Sequence, residues 1–77
     1  MTEKIIGILN QICGAEDGEI TADLDLFEEG LLDSFGVVQL LMELEEAFGV
    51  TLNMEDVPRE SISTPQAIAR LIGEASL

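Results

Sequence analysis

The run that follows Asp33 constrains the fold more than any other part of the chain. Val37, Leu40, Leu41, Leu44 and Phe48 recur at three- and four-residue spacing, which places them on one face of an α-helix. Asp33 suits the N-cap, because its carboxylate can accept otherwise unpaired first-turn amides and its charge matches the positive end of the helix dipole. Gly49 suits the αL stop after Phe48. A second apolar stripe, Phe35, Val38 and Met42, follows the same spacing on a different side, which is polar only at Gln39, Glu43, Glu45 and Glu46. Each of the three could meet core beneath the loop that precedes the helix. Taken together beside a displayed serine they read as a docking patch, with Glu43 and Glu46 included in the docking surface. Ser34 falls on the first helical turn, where a phosphate attached to its hydroxyl would lie beside free amide donors.

The remaining segments supply partners for that helix. Thr2 offers a capping hydroxyl for a first helix whose apolar face is Ile5, Ile6, Leu9 and Ile12 and whose stop is Gly14. Residues 15–32 show no period, so a loop of this length in so small a chain must be functional or pinned down. Ile20, Leu24, Leu26, Phe27, Leu31 and Leu32 are the available pins. Asp23-Leu24-Asp25 has the look of an EF-hand opening, but Phe27 stands where a ligand is needed and Glu28 where the turn glycine belongs, so no specific metal site is expected. Asn53 can cap a short turn through Val57, which Pro58 keeps brief. Ser63-Thr64-Pro65 then starts a last helix with Ala67, Ile68, Leu71 and Ile72 on its apolar face and Gly73 at its fraying end. The expected fold is all-α, three main helices plus one short one, with a long loop after helix 1.

Composition narrows the function. A chain of 77 residues makes one domain, residues 1–77, with one modest core. Sixteen acidic residues against three basic ones give a formal charge of −13, which disfavours nucleic acid and anionic lipid and favours partners with basic patches. Cys13 is the single cysteine and there is no histidine, so a disulfide, a zinc site and a base-assisted serine nucleophile all lack their residues. Cys13 reads as a small buried thiol. No signal-peptide pattern or bilayer-length apolar run is present, which points to a cytoplasmic protein not inserted in the membrane. What remains is a serine that other proteins modify. Ser61, Ser63 and Ser76 lack the setting of Ser34.

The Asp33-Ser34 pair opening an acidic helix, the long preceding loop, Gly30-Leu31-Leu32-Asp33-Ser34 and the later Ser63-Thr64-Pro65 together resemble the acyl carrier proteins over nearly the whole chain. More narrowly, Phe27-Glu28-Glu29-Gly30-Leu31-Leu32-Asp33-Ser34-Phe35-Gly36 is similar to the D-alanyl carrier proteins of teichoic acid modification, whereas fatty-acid carriers usually place leucine after the serine. The resemblance implies a monomeric carrier, itself not an enzyme, with 4′-phosphopantetheine on Ser34 and Phe35, Val38 and Met42 presented to partners. It also implies a phosphopantetheinyl transferase, an adenylate-forming D-alanine ligase and a membrane acyltransferase system acting towards lipoteichoic acid. A fatty-acid or polyketide carrier is the alternative within the superfamily. An acidic interaction domain with no prosthetic group is the alternative outside it.

Overall fold

The structure, a computed structural model, describes residues 1–75, so Ser76 lies outside the described residues. Three helices carry the chain: α1 (Thr2–Cys13), α2 (Ser34–Phe48) and α3 (Pro65–Ala75). Two 3₁₀ turns, Met54–Asp56 and Arg59–Ile62, occupy the stretch between α2 and α3. Among the described residues there is no strand, so the fold is all-helical as expected, with the short fourth element divided into two turns on either side of Pro58.

Helix α1 packs against both α2 and α3, and the second 3₁₀ turn packs against α3. The fully buried centre is built from Ile5 and Leu9 of α1, Leu40 and Leu44 of α2, and Ile68 and Ile72 of α3, closed by Leu26 from the long loop and Ile62 from the second 3₁₀ turn. Phe48 and Leu71, both expected in the core, are half-buried at its margin. Lys4 accounts for the position of Phe48: its ammonium lies 5.1 Å from the ring centroid and donates to the Ala47 carbonyl at 3.4 Å, placing a cation on the negative end of α2.

The helix ends follow their local chemistry with one exception. Gly14 and Gly49 both adopt the left-handed conformation, φ 67° and 66°, and turn their amides back onto Asn10 and Glu45, a backbone state that favours glycine. Thr64 Oγ1 accepts the Ala67 amide at 3.1 Å and Pro65 opens α3, as the Ser63-Thr64-Pro65 signal predicts. Thr2, however, does not cap α1. It is the first helical residue, and the Met1 carbonyl instead accepts the Ile5 amide at 3.1 Å, which extends the helix by a hydrogen bond that an extended Thr2 would forfeit. Gly73 stands in the last turn of α3, as expected. Fully buried Ile72 keeps the last turn docked, and that burial outweighs the roughly 1 kcal/mol helix penalty of glycine. Asn53 holds its turn through its backbone carbonyl, which accepts Asp56 N–H at 2.9 Å.

Candidate functional site

Ser34 is exposed and is the first residue of α2. Asp33 before it is extended, φ −120° and ψ −177°, so its Oδ1 accepts the Gly36 amide at 2.7 Å while its carbonyl accepts the Val37 amide at 2.8 Å. That uses the donors of the third and fourth helical residues. The amides of Ser34 and Phe35 lie too early in the helix to have an intrahelical acceptor. Gly36 makes the arrangement fit. A Cβ there would stand 3.1 Å from Leu32 Cδ1 and 3.3 Å from Asp33 Oδ1, so a side chain would press on both the buried Leu32 and the capping carboxylate.

The long loop delivers Asp33 to this position through backbone bonds. Leu26 N–H donates to the Ser63 carbonyl at 2.7 Å, and the Leu26 carbonyl accepts from Leu31 at 2.9 Å and Leu32 at 3.1 Å. Gln66 N–H adds a bond to the Ala22 carbonyl at 2.9 Å. Asp25 serves the turn itself, its Oδ1 accepting the amides of Phe27 and Glu28 at 3.1 and 3.0 Å. Of the expected pins, Ile20, Leu26 and Leu32 are buried and Leu24, Phe27 and Leu31 half-buried. Among the described residues no group of three metal-ligating side chains comes together.

An open groove of about 500 Å³ lies beside Ser34, lined by Phe27, Leu32, Asp33, Ser34, Val37, Val57, Arg59 and Ile62. Arg59 Cζ is 4.1 Å from the Phe27 ring centroid, a cation–π contact between two residues that line the groove. On the other side of Ser34 the second stripe of α2 is in solvent: Phe35 is 83 % exposed, Val38 46 % and Met42 64 %. With Gln39 they form a shallow apolar hollow. Glu43, half-buried, and Glu46, exposed, sit on the same helix but do not line it. Cys13 stands at the end of α1 beside this site; burial, and secondly the Asp33 charge, push its thiol pKa up, so it stays protonated at neutral pH.

The sequence reading missed the far wall of the groove. Val57, Arg59 and Ile62 straddle Pro58 with no helical period; the one available signal was that Arg59 is a cation in so acidic a chain. The chain has no histidine, and Asp33, the carboxylate that lines the groove with Ser34, is committed to the cap of α2.

The family described as phosphopantetheine attachment site matches residues 3–72. Curated relatives named D-alanyl carrier protein include one from Lacticaseibacillus casei, 41% identical over 71 residues, covering 92% of this chain and 88% of that protein. Another, from Lactococcus lactis subsp. cremoris, is 39% identical over 74 residues, 96% of this chain and 94% of its own. A third, from Bacillus velezensis, is 35% identical over 72 residues, with 94% and 92% covered. The prosthetic group implied by the family is 4′-phosphopantetheine, and the chain suits it: an exposed serine at a capped helix start and an adjoining open groove of mixed apolar and polar lining. The chain belongs to the phosphopantetheine-attachment family, within the acyl carrier protein superfamily.

Proposed function

We propose that Ser34 is the attachment residue for 4′-phosphopantetheine and that the chain, as one carrier domain, is a D-alanyl carrier acted on by partner enzymes. The observation that carries this reading is the display of Ser34: exposed, first on α2, fixed by the Asp33 cap, and flanked by the exposed Phe35, Val38 and Met42. When bound, the group supplies a terminal thiol that holds an acyl or aminoacyl cargo as a thioester. Asp33 holds the start of α2 so that the Ser34 hydroxyl is offered to a phosphopantetheinyl transferase and its coenzyme A. Phe35, Val38 and Met42, with Glu43 and Glu46 beyond them, form the surface that an adenylate-forming D-alanine ligase and a membrane acyltransferase system would grip in turn. The net charge of −13 would speed encounter with basic patches on these enzymes. Tethering replaces diffusion by a high effective concentration at each partner's active site.

D-alanine as cargo, with lipoteichoic acid as its destination, is supported by the names of the relatives and by the loop-to-helix run from Phe27 to Gly36. The space beside Ser34 is an open groove rather than an enclosed chamber, which suits a short cationic aminoacyl group better than a long apolar chain. The proposal places the chain in the cytoplasm as a monomer, away from nucleic acid; among the described residues no helix is long and apolar enough to cross a membrane. Incubation with coenzyme A and a broad phosphopantetheinyl transferase tests it by intact mass. Wild type should gain the phosphopantetheine mass and Ser34→Ala should not, while keeping its helical spectrum, since an exposed hydroxyl contributes little to packing. The modified protein should then accept D-alanine from an adenylating ligase. Loading by a fatty-acid synthase instead would move the cargo to acyl chains, and an unmodified wild type would leave an interaction domain.

A further inference from the structure

The chain has three cations, Lys4, Arg59 and Arg70. Lys4 lies at Ala47 and Phe48, about 20 Å along α2 from Ser34 at 1.5 Å per residue. Arg70 lines a hollow on α3 with Glu60 and Glu74. Arg59 alone among them lines the groove that holds Ser34. Its guanidinium lies over the Phe27 ring, Cζ 4.1 Å from the centroid, and carries five N–H donors. Among the described residues no hydrogen bond or ion pair takes those donors, although Asp25, Glu28 and Glu60 line the outer hollow on its other side. The groove meanwhile already contains one negative group, Asp33, committed to the cap of α2. A phosphodiester formed on Ser34 adds a second negative charge directly beside it, and two like charges at such range repel unless a cation lies between or across from them.

From this we infer that Arg59, held on the face of Phe27, is the counter-ion of the phosphodiester on Ser34, and that it draws the first part of the attached arm into the groove against Val57 and Ile62. The inference rests on Ser34 being the attachment residue. Arg59 would offer N–H donors to the phosphate oxygens from its place over Phe27, with Leu32 and Val37 lining the same groove. Lysine keeps the charge but neither the fork nor the stack.

The test uses isotope-labelled protein, with and without modification from coenzyme A, each form first verified by intact mass. In wild type, modification should shift the Arg59 Nε–H signal and the amides of Phe27, Val57 and Ile62, and added salt should move the phosphorus resonance of the phosphodiester. In Arg59→Gln the shifts at Val57 and Ile62 should fall by about half or more with the mass gain retained, and Arg59→Lys should lie between the two. Phe27→Leu should resemble Arg59→Gln, because the platform is gone. Arg59 is exposed, so Arg59→Gln should lose only its surface contact with Phe27 and melt within a few degrees of wild type. Equal shifts in wild type and Arg59→Gln, or an Arg59 Nε–H that does not respond to modification, would overturn the inference while leaving Ser34 as the attachment residue. A wild-type chain that gains no mass at Ser34 would remove both.

Discussion

Truncating Phe35 and truncating Leu44 should separate the two faces of α2. Phe35 is 83 % exposed, so about a sixth of a side chain of roughly 200 Å² is covered, worth about 1 kcal/mol at ~25 cal/mol per Å². Alanine is the better helix former by about 0.5 kcal/mol, which leaves Phe35→Ala within about 0.5 kcal/mol of wild type. Leu44 is 0 % exposed, and truncating it removes buried methylenes and leaves a cavity, a loss of about 2 to 5 kcal/mol. At about 4 to 8 °C per kcal/mol for a domain of this size, Phe35→Ala should melt within about 4 °C of wild type and Leu44→Ala at least about 8 °C lower. Thermal unfolding followed by far-UV circular dichroism measures both. The functional order should be reversed. At a temperature where both variants are folded, Phe35→Ala should raise the apparent KM for loading by an adenylating ligase about ten-fold or more, as loss of an aromatic interface anchor does, with Leu44→Ala near wild type. A Phe35→Ala variant that melts as low as Leu44→Ala would show the stripe to be structural. One that melts and loads like wild type would show that Phe35 is not gripped.

Gly36→Ala should destabilise the domain by about 1 kcal/mol in urea titration despite alanine's helix preference, because the new Cβ stands 3.1 Å from buried Leu32 and 3.3 Å from the capping Asp33 oxygen; a stabilised variant would mean that both neighbours yield easily. Raising ionic strength should raise the melting temperature while slowing carrier loading, since salt screens both the self-repulsion of a −13 chain and its attraction to basic partners; a loading rate indifferent to salt would confine the acidity to solubility. Cys13 should be alkylated with a pH midpoint above that of an unfolded cysteine, because burial and then the Asp33 charge disfavour the thiolate; Asp33→Asn should lower the midpoint only part of the way back.

What could be read in the sequence was what local chemistry decides. The period of Val37 to Phe48, the Asp33 cap, the stops at Gly14 and Gly49 and the start at Thr64-Pro65 each involve residues within a turn or two of one another, and the structure realises all of them. The separation of α2 into a buried and an exposed face was legible for the same reason. Contacts set by the meeting of distant segments were not. Arg59 reaches Phe27 across thirty-odd residues, Ile62 enters the core from a 3₁₀ turn too short to show a period, and the close fit around Gly36 depends on Leu32 and on Ile12 of another helix. Thr2 was misjudged because its intrinsic preference is weak beside an extra backbone bond.

Leu26 ties the start of α2 to the start of α3, since its amide is held by Ser63, its carbonyl holds Leu31 and Leu32, and its side chain is 0 % exposed. Local fluctuations in small proteins run along the weakest seam, and a loop of this length would ordinarily be that seam. Here the loop cannot lift without breaking three backbone bonds and uncovering a core leucine at once. Opening at the Asp33 cap is thereby joined to opening at residues 63–66, and the amides of Leu26, Leu31 and Leu32 should exchange with solvent as one unit, at a rate set by the bundle rather than by the loop. An arm attached at Ser34, as proposed above, would gain a fixed pivot from this, a point that stays still for as long as the whole domain stays folded.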